Sequence, residues 1–293
     1  MQVCGALAQV AKHSVDMAEV VVEAETFPRL LTCLAFPDEL VRKHAATAVR
    51  EVAKHSAELS QLIVSSGGVG ALVDYLNESS GAARLPGIMA LGYIAAFSET
   101  LALAVIAEKG LVPLVATLAE DPEDHLKAAS GWTLGQIGRH TPDHARAVAD
   151  SGALSILATL ESDARRSEDL QTKARRALKG IVAKLTHLSA LDALVQRNLP
   201  EAVMRPVVEQ LGRVLAHDPA GRATFVHSGG LARLQVCIDV ALQIHALLHK
   251  DGTAAVEYVL KNVVRVCAHC VSWPLPNLHL GLVNSSVTCA QHD

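Results

Sequence analysis

Four histidines recur at equivalent places in the chain and are the first residues whose chemistry needs an explanation. They are His13, His55, His140 and His217, and 42 residues separate the first two. Imidazoles can bind a metal ion, but side chains in successive repeats would lie about 10 Å apart, too far to share one ion. Phe97 takes the same place in another copy. We therefore predict a structural role, in which each imidazole interacts with the last carbonyls of a helix.

A second group of possible metal ligands lies near the end of the chain. Cys267 and Cys270 have the C-x2-C spacing, and His279, Cys289 and His292 follow. A structural zinc site needs four ligands, and this stretch has neither a second C-x2-C pair nor an H-x3-5-H pair. A lone C-x2-C without a βαβ context is also weak evidence for redox activity. We predict no metal and no cofactor.

The residues most suited to binding another protein lie on one face of the third helices of the predicted repeats. Trp132 and Gln136 are four residues apart and so share a helix face, where an indole and an amide could hold an extended peptide. The alternative is that Trp132 only fills space between repeats. The candidate groove consists of these residues and their equivalents: Trp132, Gln136, Met89, Tyr93, Thr47 and Glu51.

No pattern in the sequence predicts catalysis. Nucleophile, P-loop and dinucleotide motifs are absent, so we predict no catalytic residue and no small-molecule substrate. The net charge of −4 argues against nucleic acid as the main partner. Lys173, Arg175, Arg176 and Lys179 form a basic face on one helix, which could meet an acidic surface such as a microtubule or could simply be solvated.

Two landmarks repeat along the chain with a common period. The segment VAKHS at 10–14 recurs at 52–56, and the related IAAFS and IGRHT follow at 94–98 and 137–141. A glycine also recurs in phase, 11 or 12 residues after a polar residue. These glycines are Gly68, Gly110, Gly152 and Gly230, and they follow Ser56, Ser98, Thr141 and Asp218 respectively. Three predicted helices in each period of about 42 residues are typical of armadillo repeats. The sequence predicts an all-α, right-handed superhelical armadillo solenoid.

Local signals place the ends of the helices in each repeat. The residues Ser14, Ser56, Ser98, Thr141 and Asp218 are suited to the N-cap, where a side-chain oxygen accepts a backbone N–H. Pro142 and Pro219 suit the first helical position. The recurring glycines are predicted to end a helix in the left-handed conformation. The charged segment 161–176 breaks the period, and Asn198 is a candidate turn residue; we expect a long linker and a curtailed repeat there.

Composition and the two ends complete the predicted organisation. Half of the residues are hydrophobic but only 3% are aromatic, so Ala, Val and Leu must fill the core. We read no transmembrane helix and no secretory signal, and expect reduced cysteines in a cytosolic compartment. Residues 1–235 are predicted to form the solenoid, starting inside a repeat, with an irregular repeat at about 161–217. Residues 236–293 are predicted to be a divergent, partly helical tail with a disordered end.

Several contiguous segments resemble one particular family. They are KHSVDMAEVVVEAE, EVAKHSAELSQLIVSSGGV, ARLPGIMALGYIAAFSE, EDPEDHLKAASGWTLGQIGRHTPDHARAVA, SEDLQTKARRALKGIV and FVHSGGLARLQ. Together they are similar to armadillo proteins of the sperm-associated antigen six type, over about residues 1–235. The resemblance begins within that family's repeats and fades after Gln235.

This resemblance implies a function that the periodicity alone does not. The family belongs to the central-pair apparatus of motile cilia and flagella. A member would be a non-enzymatic scaffold that binds central-pair proteins and microtubules, without membrane, nucleic-acid or small-molecule partners. Two alternatives remain: a soluble peptide-binding adaptor unrelated to cilia, and an enzyme or zinc protein that uses the C-terminal Cys and His residues.

Overall fold

The computed structural model describes residues 2–23, 26–195, 201–230 and 232–234, and this part of the chain is helical without any strand. In chain order the helices are α1 (Gln2–His13), α2 (Val15–Glu23), α3 (Phe27–Thr32), α4 (Glu39–Ala53), α5 (Ala57–Ser65), α6 (Gly68–Glu78), α7 (Leu85–Phe97), α8 (Glu99–Ala107), α9 (Leu111–Glu120), α10 (Asp124–Gly138), α11 (Pro142–Asp150), α12 (Ala153–Ser162), α13 (Glu168–Val182), α14 (Leu188–Val195), α15 (Glu201–His217) and α16 (Pro219–His227). Two short 3-10 segments lie at Cys33–Ala35 and Gly81–Ala83.

The helices follow one another in sets of three. In each repeat from α2 to α13, a first helix (α2, α5, α8, α11) is followed by a second (α3, α6, α9, α12) and a third (α4, α7, α10, α13). The helix α1 has the position of a third helix before the first complete set. Each third helix packs on the next one, from α1 to α4, α7, α10 and α13. This is the arrangement of a repeat solenoid, in which each unit is stabilised by its neighbours.

The predicted caps begin the first helices. The hydroxyl of Ser56 accepts a hydrogen bond from the backbone N–H of Leu59, and that of Ser98 from Leu101, both at 3.2 Å. Thr141 and Asp218 cap α11 and α16 in the same way. Pro142 and Pro219 stand at the first helical positions, as predicted. Each cap satisfies one of the N–H groups that a helix start leaves unpaired.

Most of the recurring glycines do not take the predicted left-handed conformation. Among Gly68, Gly110, Gly152 and Gly230, only Gly152 is left-handed, with φ of 82°. In the other three repeats the preceding residue takes that conformation, and one of these is not glycine: Gly67, Lys109 and Gly229.

The residue after this turn needs to be small. A Cβ on Gly110 would lie 2.7 Å from Cγ1 of Val105, and one on Gly230 would lie 2.5 Å from the ring of Phe225. Ala153, which takes the same place after Gly152, is fully buried. The position is therefore constrained by the close approach of the first helix rather than by backbone dihedral angles.

The core has the composition that the sequence predicted. Its buried side chains are mainly Ala, Val, Leu and Ile, and Tyr75, Phe27 and Phe225 are the few large aromatic side chains that are fully buried. Small side chains let the helices approach closely, and such contacts gain stability from dispersion as well as from the hydrophobic effect.

The charged segment 161–176 is mostly helical, contrary to the expected linker. The helix α12 continues to Ser162 and α13 begins at Glu168, so only residues 163–167 connect them. The side chain of Ser167 caps α13. The charged residues of α13 lie on the solvent side of an amphipathic helix whose buried side consists of Leu, Ala, Ile and Val, so the high charge density of the segment indicates an exposed helix face rather than a linker. In the following repeat α14 and α15 are described, whereas Asn198 lies outside the described residues.

The chain divides into two compact units, residues 1–210 and 211–293. In the second unit, described only to residue 234, a left-handed Gly229 follows α16, and Arg233 lies over the ring of Phe225 at 5.9 Å. The predicted boundary at residue 235 falls at the edge of the described chain and stays a prediction. The predicted tail, 236–293, lies outside the described residues.

No single described helix is long and apolar enough to cross a bilayer. The pairs α5–α6 and α8–α9 reach the required length and hydrophobicity only together, and they bend by 77° and 79° where they join.

Tyr75 connects the second helix α6 to the segment that leads into α7. Its hydroxyl donates a hydrogen bond to the carbonyl of Ala83, and its ring lies 2.9 Å from where a Cβ on Gly87 would stand. Burial raises the pKa of Tyr75 to about 12. Because the charged phenolate is disfavoured there, the neutral hydroxyl is part of the folded structure.

Two glycines on adjacent third helices should respond in opposite ways to alanine. A Cβ on Gly135 of α10 would lie 2.9 Å from the Cα of Ala177, whereas one on Gly180 of α13 would lie 3.6 Å from the Cβ of Arg139. We expect Gly135→Ala to lower the free energy of unfolding by about 1–2 kcal/mol, because backbone must move apart. Gly180→Ala should raise it by about 0.5–1 kcal/mol through helix propensity. Urea unfolding followed by circular dichroism measures both, and equal effects would contradict the close contact.

Tyr75 should make stability depend on pH in the alkaline range. Its pKa in the folded chain lies above the unfolded value of about 10, so its contribution is complete below pH 10 and lost as the pH rises towards 12. At alkaline pH the chain with Tyr75 should lose up to about 2 kcal/mol of its free energy of unfolding, and the Tyr75→Phe variant should not show this loss. Urea unfolding at pH 8, 10 and 11 compares the two chains, and parallel curves would refute the assignment.

Candidate protein-binding face

The half-buried side chains on the third helices form a continuous face, here called the third-helix face, which comprises the exposed sides of α4, α7, α10 and α13. At its centre the rings of Tyr93 and Trp132 meet edge to face, with centroids 5.3 Å apart and planes inclined at 69°. The indole of Trp132 covers Gly92, where a Cβ would also lie 2.6 Å from Oγ1 of Thr133. Trp132 thus fills space between α7 and α10 and still presents part of its ring to solvent.

Two other candidate residues flank this aromatic pair. Met89 and Gln136 are both half-buried, one turn from Tyr93 and Trp132 respectively. The side-chain amide of Gln136 has no hydrogen-bond partner within the described part of the chain. An amide with free donors and an acceptor can bond the backbone of an extended peptide.

The remaining two candidates, Thr47 and Glu51, are engaged within α4 and its C-terminus. The Thr47 hydroxyl donates to the carbonyl of Lys43 at 2.7 Å. The Glu51 carboxylate is 5% exposed and accepts hydrogen bonds from Lys54 and Arg50. Burial alone would raise the pKa of Glu51, but these bonds and positive charges outweigh it and hold the pKa below its usual value. The groups that reach solvent here are therefore the two cations.

Two of the four recurring histidines, His55 and His140, bond to backbone carbonyls, and both bonds cross from one repeat to the one before. Nε2 of His55 lies 2.6 Å from the carbonyl oxygen of Ala11, and Nε2 of His140 lies 2.7 Å from that of Ala95. Since the partner is a carbonyl, Nε2 carries the hydrogen and donates it. The structural role was predicted, but the carbonyls belong to the preceding third helix. At Phe97 the equivalent carbonyl, that of Ala53, accepts instead from the hydroxyl of Ser60 at 3.0 Å.

The cations that precede His55 and His140 make parallel contacts. The ammonium of Lys54 donates to the carbonyl of Lys12 at 3.2 Å, and a guanidinium N–H of Arg139 donates to that of Ala96 at 2.7 Å. Cations near a helix C-terminus are favoured by the unpaired carbonyls and the helix dipole. These caps were missed in the sequence, although the pairs Lys54–His55 and Arg139–His140 recur in phase.

The basic face predicted on α13 is partly neutralised. Lys173 pairs with Asp169 at 2.8 Å, and Arg175 pairs at 2.9 Å with Glu161 of α12. Arg176 and Lys179 are exposed and have no acidic partner among the described residues.

Metal binding finds no support in the described residues, where no three His, Cys, Asp or Glu side chains are placed to hold an ion. The predicted C-terminal candidates, Cys267, Cys270, His279, Cys289 and His292, lie outside those residues.

Comparison with solved structures assigns the fold. A computationally designed armadillo repeat protein for modular peptide recognition is similar with a TM-score of 0.59 and 20% identity, over 91% of each chain. A designed armadillo repeat protein in complex with the peptide (KR)4 is similar with a TM-score of 0.55 and 22% identity, over 83% of this chain and 99% of that one. The chain is therefore an all-α armadillo-repeat solenoid, as predicted.

Comparison with curated proteins confirms the resemblance noted in the sequence. Human sperm-associated antigen 6 is 53% identical over 122 residues, which are 42% of this chain and 24% of that protein. The mouse protein is 54% identical over 118 residues, 40% of this chain and 23% of its own. The match thus spans about a quarter of the length of each of these curated relatives. No protein-family model matches the chain. The chain is thus an armadillo-repeat solenoid that is similar, over 42% of its length, to part of human sperm-associated antigen 6.

The histidine caps predict a measurable loss of stability. We expect His140→Ala to lower the free energy of unfolding by about 1 kcal/mol, because the carbonyl of Ala95 loses its donor. His125→Ala is a matched control in the preceding helix α10, since its side chain is half-exposed and pairs only with the equally exposed Glu123; its effect should stay within about 0.5 kcal/mol. Equal effects of the two changes in urea unfolding would refute the inter-repeat cap.

Proposed function

We propose that this chain acts as a scaffold of the central apparatus of motile cilia and flagella, binding microtubule-associated proteins and supporting the integrity and motility of the axoneme. The observation that carries the proposal is the 53% identity with human sperm-associated antigen 6. The expected location is the cytoskeleton of the cytoplasm, in the axoneme of a cilium or flagellum. The partners are central-pair proteins and microtubules.

The proposed binding surface is the third-helix face, with Trp132, Gln136, Met89 and Tyr93 at its centre. Thr47 and Glu51 lie at one end, where Glu51 holds two cations in place. Support comes from the half-buried aromatic pair and from the unpaired amide of Gln136. Designed armadillo neighbours made for peptide recognition show that this fold can serve such binding.

The rest of the chain supports a role in assembly rather than chemistry. Buried polar groups such as Lys127 are used to complete the helices: its ammonium donates to the carbonyls of Leu118 and Ala119 at the end of α9. Burial lowers the pKa of Lys127, but its surroundings are backbone carbonyls rather than a cleft. We infer that the surfaces, not a reactive centre, perform the function.

The proposal predicts selective binding to axonemes that contain a central pair. The purified full chain should sediment with demembranated motile axonemes and remain in the supernatant with axonemes of primary cilia, which have no central pair. Purified microtubules, at several salt concentrations, form a third arm that separates direct tubulin binding from binding to another axonemal protein. Salt-sensitive pelleting is expected if charges contribute to the contact.

Two outcomes would overturn the proposal. If soluble chain with a helical circular-dichroism spectrum stayed in the supernatant in all three arms, an axonemal scaffold would be rejected for this chain. Equal binding to both kinds of axoneme would reject the central pair as its location. In the first case a soluble adaptor unrelated to cilia becomes the better hypothesis, because the third-helix face would still be available.

A further inference from the structure

Charge is divided unequally between the helices of the repeats. The first and second helices from α2 to α12 contain eleven Asp or Glu residues and two Arg. The third helices α1, α4, α7, α10 and α13 contain nine Lys or Arg and five acidic residues, in a chain with a net charge of −4. Among the helices of these repeats, the third helices are therefore the basic ones.

The cations stand at the two ends of the third-helix face. At one end Arg50 and Lys54 share a single carboxylate, that of Glu51, so one positive charge is left uncompensated. At the other end Arg139 and Arg176 are exposed, and neither has an acidic partner in the described chain. Both ends of the face therefore attract negative charge.

Arg139 directly follows α10, and Arg176 lies on the adjacent helix α13. The buried side of α13 is fixed by Ala177 against Gly135, so Arg176 lies on the exposed side. Gly180 is one turn further along that side, and the Cβ of Arg139 is 3.6 Å from where a Cβ on Gly180 would stand. Arg176 is therefore one turn along α13 from the residue that contacts Arg139.

The middle of the face is uncharged. The helix α7 contains no charged residue, and its exposed side presents Met89 and Tyr93. With Trp132 and Gln136 from α10, they form an aromatic surface with one free amide. The order along the stack is thus cationic, aromatic, cationic.

We propose that the third-helix face binds an extended acidic segment of a partner protein, with an apolar side chain packed on Tyr93 and Trp132. Gln136 bonds the backbone of the segment, and acidic side chains on either side pair with Arg50 and Lys54 and with Arg139 and Arg176. Third helices about 10 Å apart make the distance from α4 to α13 about 30 Å. An extended segment of about nine residues covers that distance. This inference rests on the scaffold role proposed above, because that role requires a protein partner.

The fluorescence of Trp132 provides a direct test in the full chain. The sequence contains two tryptophans, so Trp273→Phe leaves Trp132 as the sole indole reporter. This chain is titrated with a nine-residue peptide of four Glu on each side of a central Leu, and with the same peptide carrying Lys in place of Glu. We expect saturable binding of the acidic peptide, weakening as salt rises, and at least tenfold weaker binding of the basic one.

A pair of charge reversals locates the contact. Arg176→Glu should weaken binding of the acidic peptide about tenfold. Arg146→Glu changes charge equally, but on α11, where Arg146 is exposed and lies 3.5 Å from Asp150; its effect should stay below twofold. Thermal unfolding of both variants checks that the fold is retained. Arg139 is left unchanged because it caps α7.

The results separate this inference from the proposed function. Failure of the acidic peptide to bind, equal binding of both peptides, or equal effects of the two charge reversals would overturn the inference. Pelleting with motile axonemes could still occur in that case, through another surface. Conversely, peptide binding without axoneme pelleting would leave the inference standing and reject the ciliary scaffold.

Discussion

Close contact between successive third helices is the constraint on which the other features of the repeats depend. The helices α10 and α13 meet where a Cβ on Gly135 would lie 2.9 Å from the Cα of Ala177, and one on Gly138 would lie 2.7 Å from Ile181. At such distances the backbones determine the geometry of the contact and side chains must lie around it. Where α7 meets α10, for example, the indole of Trp132 lies over Gly92 and remains half-buried at the third-helix face.

The same contact explains why polar groups bond across repeats. When two third helices run side by side with their ends in register, the last carbonyls of one helix lie near the first residues after the next. His55 and His140 bond to carbonyls there, and Lys54 and Arg139 bond to the carbonyls that follow. Each bond satisfies a carbonyl that its own helix leaves unpaired. Phe97 can replace a histidine because Ser60, from the following first helix, reaches the carbonyl of Ala53.

Much of this fold could be predicted from the sequence, since its determinants are local. The hydroxyls of Ser56, Ser98 and Thr141 each accept a hydrogen bond from the backbone N–H three residues later, and these caps recur with a period of about 42 residues. The glycines were harder, because Gly68 marks a steric contact while the left-handed turn belongs to Gly67. Lys109 shows that this turn does not require glycine. Because the left-handed residue and the small residue are adjacent in the chain, the spacing of the glycines does not separate the two requirements.

The site was less predictable, because its properties depend on distances between repeats. Glu51 has the position of Gln136 in its own repeat, yet it is buried and neutralised by two cations. Its sequence neighbours Arg50 and Lys54 could have been expected to pair with it. That Arg139 would contact Gly180, one turn along α13 from Arg176, depends on the packing of α10 on α13, which no pattern in either helix reveals.

The unequal charge of the two sides has a consequence for how such a solenoid assembles with other proteins. Acidic first and second helices repel acidic partners, while the third helices attract them, so a partner with a negative segment is oriented before contact. The uncharged α7 between the cationic ends then favours an apolar residue in the middle of that segment. Orientation by charge and selection by an aromatic contact are separate requirements, and a scaffold that applies both can hold one partner while its other side remains available to a second.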